Sequence, residues 1–398
     1  MENIKANNKS TKFIKLTAIV LFLAIVLSAC SSNTIPEVLQ YDDYGEKQAL
    51  YLAENYPHRP AGSEAEAKAA EYINSKFNEL GYKTEVSEFS SDNGIESKNI
   101  IVKIPGKGFV ASEDADDTFA NPIYEGSAKS AYGLFNRQVI VGARYDTNPN
   151  NPDANQGISD NASGVGALLQ LARKLKDYTM GYDIVLIALG GGFDGNAGAK
   201  NYIANMSEAE LKKTDAFYEF RSLYAGEKLY VNSGLASTFP NQKYKLRQPA
   251  YEITDIASKN NIRSLTGVTL YQNQSGIKIA NPAIDAGYSS DLGEAPEEII
   301  FREVTNMNSD YRAFDQLAIP CVILESYNYN VDSVEELRDN NDPNFASSDF
   351  KVRGTEFDNI ETLNEYMADN LLKDRINVSA YLVLKSIATG VIGADTEY

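Results

Sequence analysis

Apolar residues recur along this chain with two different periods, and their alternation predicts its architecture. Over Ser63–Leu80, Ala67, Ala70, Ile73, Phe77 and Leu80 fall at helical spacing, and Tyr44–Tyr56 begins a helical pattern just before it. Asn99–Ile104 and Gln138–Ala143 are instead short runs rich in Ile and Val, which predict β-strands. Asp160 or Asn161 then caps a helix in which Val165, Leu168, Leu169, Ala172 and Leu175 make one apolar stripe. Ile184–Leu189 is a continuous apolar strand, and Tyr202 onward returns to helix. Leu229–Val231 and Cys321–Leu324 supply further strands, and Ile376–Ile392 a closing amphipathic helix. This alternation predicts an α/β three-layer sandwich with a mainly parallel central sheet, 44–398, whose site lies at the carboxyl ends of the strands.

The ends of the chain and one internal stretch break the pattern. Lys5, Lys9, Lys12 and Lys15 precede an uncharged apolar run from Leu16 to Val26 and then Leu27-Ser28-Ala29-Cys30, which reads as a secretory signal over 1–29. The Leu-Ser-Ala-Cys ending resembles a bacterial lipobox. Cleavage before Cys30 and lipidation of its thiol would tether the chain to the outer face of a bacterial membrane, with 30–43 as the tether. The apolar run is short for a bilayer span. Gly106–Asn136 is rich in Gly, Ser and Asp and carries the acidic run Glu113–Asp117, so a surface insertion is expected at 106–136.

Charge and cysteine content narrow the partners. The formal net charge is −18, and losing the leader would remove four lysines and one glutamate, leaving a chain more acidic still. Nucleic acid and anionic lipid are therefore not expected partners of the folded part. Cys321, inside the apolar run Ile319–Leu324, is expected to be a buried inert thiol, and no intramolecular disulfide is expected.

Four segments at predicted strand ends occur in a recognisable order: Arg59-Pro60-Ala61-Gly62-Ser63, Ala143-Arg144-Tyr145-Asp146-Thr147, Asp160-Asn161-Ala162-Ser163-Gly164, and Ser309-Asp310-Tyr311 followed by Ile319-Pro320. Over roughly 45–392 the chain resembles metallopeptidase family twenty-eight, the co-catalytic zinc aminopeptidases related to aminopeptidase Y and bacterial leucyl aminopeptidase. The Asp-Asn-Ala-Ser-Gly segment and its distance from Ala-x-Tyr-Asp carry the resemblance. It implies a zinc-exopeptidase-like fold and, in an intact member, two zinc ions.

The resemblance also implies which side chains should hold the metal, and most are replaced. Position x of Ala-x-Tyr-Asp is a histidine ligand in the family and is Arg144 here, while the aspartate that orients it is Asp146. The bridging aspartate matches Asp160. The Glu-Glu pair, general base then ligand, aligns with Gly192 and Phe193. The next aspartate ligand aligns with Arg221, and the last histidine with Tyr311. Histidine occurs once in the whole chain, as His58. Catalytic zinc generally takes three protein ligands plus water, so no intact catalytic set and no cofactor are expected. Two guanidiniums at former ligand positions suggest that Arg144 pairs with Asp160, and Arg221 with Asp310.

Three functional classes follow. The first is a surface lipoprotein that keeps the peptidase fold without its chemistry and binds a peptide, protein or glycan in the residual cleft; the family includes such precedents in the transferrin receptor and nicastrin ectodomains. The second is an active metallo-exopeptidase, zinc-dependent or using a hard cation, rebuilt around Asp146, Asp160, Asp194, Asp310 and Glu325. The third is a structural envelope component. Tyr224, Tyr311, Tyr327 and Tyr329 are candidate cleft aromatics, although tyrosine is frequent throughout the chain. Gly190–Gly195 formally fits G-x-G-x-x-G with Asp215 downstream, but those glycines more simply tighten a turn.

Overall fold

The computed structural model describes residues 35–110, 134–238, 243–272, 277–280, 298–301, 309–329 and 342–390. The predicted signal, Cys30 and most of the insertion lie outside these residues. The chain divides into units 1–41 and 42–398. In the first, the described residues hold a 3-10 turn at Glu37–Gln40. Among the described residues no helix is long and apolar enough to cross a membrane.

The second unit is built on an eight-stranded sheet. Its strands are β1 (Thr84–Ser90), β2 (Glu96–Ile104), β3 (Gln138–Arg144), β4 (Asp183–Leu189), β5 (Thr214–Phe220), β6 (Lys228–Ser233), β7 (Leu270–Tyr271) and β8 (Cys321–Tyr327). Their order across the sheet is β1-β2-β4-β3-β5-β8-β6-β7. The middle four, β4-β3-β5-β8, run parallel, while β1, β2 and β6 are antiparallel to their inner neighbours. The sheet is therefore mixed, with parallel pairing across its centre and again between β6 and β7 at one edge. β3 and β5 are buried along their whole length, as befits strands covered on both faces.

Helices cover both faces. One layer contains α1 (Tyr44–Asn55), α2 (Glu64–Glu79), α3 (Ser163–Leu175), α5 (Lys243–Lys259) and α6 (Leu371–Thr389). α4 (Ala197–Ala204) and the short helix Tyr311–Asp315 lie on the other face, where Ile140, Ile187, Phe217, Phe314 and Ile323 form a continuous core. Ser63 caps α2 by accepting from Glu66 N, as the run of Ala67, Ala70 and Ile73 behind it requires.

Several predicted boundaries move. The helix expected from Tyr202 begins at Ala197, after Asn196 in a left-handed conformation. The last helix begins five residues early, at Leu371. Neither Asp160 nor Asn161 is an N-cap: both lie in a wide turn, Ile158–Ala162, from which α3 departs at Ser163. A wide turn of this kind re-aims side chains at functional sites, and here it places Asp160 over the sheet edge. Around the insertion, Phe109–Val110 pairs with Leu134–Phe135.

Candidate functional site

The carboxyl ends of the four parallel strands deliver the site. In register, Arg144 ends β3 beside Leu189 at the end of β4, which leads into Gly190–Phe193; Arg221 follows β5, and Glu325 lies near the end of β8. The Ile158–Ala162 turn adds Asp160, and the residues before Tyr311 add Ser309 and Asp310. The structure places these residues at one strand-end edge, with partners that differ from those expected.

Arg144 does not pair with Asp160. Its Nε donates to Asp310 Oδ2 at 2.9 Å, and its guanidinium stands 4.7 Å from the centroid of the Phe193 ring. Arg221 does not pair with Asp310 but donates to Glu325 Oε2 at 3.0 Å. Glu325 also accepts from Asn232 at 3.4 Å and from the Tyr329 hydroxyl. Asp160 instead faces Arg353, whose Nε is 3.5 Å from Oδ1. Each carboxylate thus receives the guanidinium that the strand register brings nearest. The two expected pairs placed both cations on the wrong acid, and the third, Arg353, had no motif to reveal it.

The remaining acids are engaged by neutral donors. Asp146 accepts from Gly192 N at 2.8 Å and Phe193 N at 3.0 Å, so it fixes the turn after β4. Glu219 accepts from the Ser309 hydroxyl and from Tyr311 N, tying β5 to the start of the last short helix. Asp358 accepts from Ser159 N at 2.7 Å and Asp160 N at 3.1 Å, holding the wide turn. Burial pushes the Asp146, Glu219 and Asp358 carboxyls each up to about 7. Burial opposes charge on Arg144 too, but Asp310, then Asp160, Asp146 and Glu219, more than offset it and hold the guanidinium above its ordinary range. Burial, then Arg221 and Arg144, pulls Arg353 down.

Gly192 explains a second departure. A Cβ built there would lie 2.3 Å from Arg144 Cδ and 2.5 Å from its Nε. The arginine stem occupies the space that any side chain at the family's general-base position would enter. Arg144 and Gly192 are therefore sterically coupled.

Other candidates fall away from the centre. Tyr311 is fully buried in the core beside Phe314, and burial pushes its hydroxyl well above the usual range. Tyr224 is buried and donates to Asn364, and the Tyr327 and Tyr329 rings pack at 4.5 Å inside the core, so this tyrosine set does not line an open aromatic cleft. Asp194 accepts from Asn93, and His58 is exposed. Asp215 sits near the start of β5, bonded by Arg137 and by Tyr182 at 2.9 Å, at the opposite strand end from the glycine turn; the dinucleotide pattern has no structural counterpart. The Cys321 thiol is buried at the start of β8, and burial pushes it well above its usual range.

Sequence reasoning missed Arg59, Arg353 and Asp358 as site residues. Arg59 is fully buried and bridges the first motif to the others, donating to Tyr145 O at 2.7 Å, Gln156 O at 3.0 Å and Asn161 Oδ1. Its place in Arg-Pro-Ala-Gly-Ser, before a capped helix, was the available signal. Arg353 and Asp358 carry no local signal.

A zinc pair in this fold requires neutral imidazoles and free carboxylates. Here guanidiniums stand at two of the positions that the resemblance implies as ligands, and a third faces Asp160; among the described residues no group of three or more His, Cys, Asp or Glu is arranged to hold a metal ion. These side chains do not fit the metal centre.

The comparisons with known proteins agree with the fold. Peptidase family M28 matches residues 123–268. The alkaline phosphatase isozyme conversion protein of Escherichia coli K12 is 26% identical over 327 residues, 79% of either chain. Aminopeptidase YwaD of Bacillus subtilis is 35% identical over 99 residues, 24% of this chain and 21% of that protein. Among solved structures, the zinc aminopeptidase BSAP of Bacillus subtilis superposes with a TM-score of 0.54 at 14% identity, covering 89% of this chain and 97% of that one. The glutaminyl cyclase of Fimbriiglobus ruber gives a TM-score of 0.54 at 15% identity, over 88% and 96%. Residues 123–268 thus match peptidase family M28, and the chain shares the fold of the zinc aminopeptidases on which it superposes.

Proposed function

We propose that this protein is an exported lipoprotein, anchored through Cys30 to the outer face of a bacterial membrane, which uses the peptidase fold to bind a peptide, protein or glycan without hydrolysing it. One observation carries the reading: the three charged pairs Arg144–Asp310, Arg221–Glu325 and Arg353–Asp160 occupy the strand-end position where relatives place metal chemistry. Without a metal-activated water, and with Gly192 where a carboxylate base would act, hydrolysis has no nucleophile. The acidic balance of the chain speaks against nucleic acid as a partner. The test is metal analysis of the purified chain together with an aminoacyl and dipeptide hydrolysis panel. Far less than one zinc per chain and no turnover above background are expected. Stoichiometric zinc with turnover would overturn the reading in favour of a remodelled metallo-exopeptidase.

A further inference from the structure

Arg144 is only 8% exposed, and its side chain is held at two points. Its Nε bonds Asp310, and the Phe193 ring supports its plane. Among the described residues neither of its terminal amines donates a hydrogen bond, although Asp160, Asp146 and Glu219 stand around it. Each of those acids is already engaged: Asp160 with Arg353, Asp146 with two backbone amides, Glu219 with Ser309 and the Tyr311 amide. Among the described residues, Asp310 Oδ1 and Tyr311 Oη are sealed without partners, whereas Arg144 as a residue keeps a small exposed area. The result is a charged, planar, pre-oriented pair of donors at the carboxyl edge of the sheet, with Asp160, Asp146 and Glu219 engaged elsewhere and Asp310 bound to Nε through Oδ2.

A guanidinium fork of this kind matches a carboxylate in geometry and charge, and its fixed orientation lowers the entropy lost on binding. A neutral carbonyl would take the same donors with half the hydrogen bonds and none of the charge. We infer that the terminal amines of Arg144 form a subsite for a ligand carboxylate, in the first place the free α-carboxylate of a peptide. This rests on the non-hydrolytic binding role proposed above, and Arg144 is the residue that makes the contact.

The test is calorimetric titration of the purified chain, in EDTA and near-physiological salt, with acetyl-alanyl-alanine, its C-terminal amide and glucuronate. The peptide acid is expected to bind about tenfold to a hundredfold more tightly than the amide. Arg144→Met/Asp310→Asn, which removes the fork and its buried partner together, should bind acid and amide alike. Arg144→Lys, which keeps a charge beside Asp310 but lacks the fork, should lose most of the preference and serves if the double variant does not fold. Equal binding of acid and amide, no binding of either, or a preference that survives in these variants would overturn the inference. Binding of glucuronate without the peptide acid would overturn the peptide as the source of the carboxylate. Zinc-dependent cleavage of unblocked alanyl-alanine in a parallel EDTA-free sample would sink the non-hydrolytic role instead, and the metal content of that parallel sample separates the two failures.

Discussion

Two regions of this molecule bury arginine, and they solve the problem in opposite ways. Arg375, in α6, donates to Tyr224 O at 2.6 Å, Gly226 O at 2.9 Å and Ser326 Oγ at 3.0 Å, and Arg59 is likewise satisfied mainly by carbonyls. Burial draws both guanidiniums down to about 10. At the strand-end site, Arg144 and Arg221 are as deeply buried but face Asp310 and Glu325, and both are raised instead. Carbonyl-bound arginines join segments of backbone. Carboxylate-bound ones neutralise acids that would otherwise sit unpaired in a low-dielectric interior.

That contrast is sharpest when one partner is removed. Arg144→Met leaves Asp310 buried without a counter-charge and should cost about 3–5 kcal/mol in urea unfolding. Adding Asp310→Asn should restore most of that loss. Arg375 donates to carbonyls and a hydroxyl, so no single acid-to-amide change should rescue Arg375→Met in the same way. If the double variant were no more stable than Arg144→Met, the charge-neutralising role of the site arginines would fail.

The contact between Arg144 and Gly192 predicts a smaller, coupled effect. Gly192→Ala should destabilise the protein by about 1–3 kcal/mol through overpacking, and by clearly less in an Arg144→Ser background. Additive losses in a double-mutant cycle would show that the two positions are independent.

A third effect is in pH. Asp146, Glu219 and Asp358 sit at about 7 when folded, above their ordinary range when unfolded. Between those values the folded protein binds more protons, so stability should fall as pH rises from about 4 to about 7. Each group contributes at most about 1.4 kcal/mol per pH unit. Asp358→Asn should flatten the slope measured by thermal unfolding; an unchanged slope would remove Asp358 from the account.

What could be read in the sequence followed from periodicity and motif order. α2 and β4 were legible because their apolar patterns are unbroken, and the site's position was legible because four motifs fall at strand ends. β1 was not, since Thr84–Ser90 is a mostly exposed edge strand with Glu85 and Glu88 among its residues. α5 was hidden by a charged start and by Pro249 within it. The ion pairs were beyond reach for a different reason. Arg353 meets Asp160 from a distant part of the chain, and which acid each guanidinium takes depends on strand register and on the wide turn, neither of which leaves a mark in local composition.

The space that Arg144 takes above Gly192 bears on mutational history. A glutamate regained at 192 would collide with the arginine, while a histidine regained at 144 would find no base beside it and would leave Asp310 without its cation. Each of these single changes is therefore uphill on its own, and only substitutions made together at 144, 192 and 310 would suit the present packing.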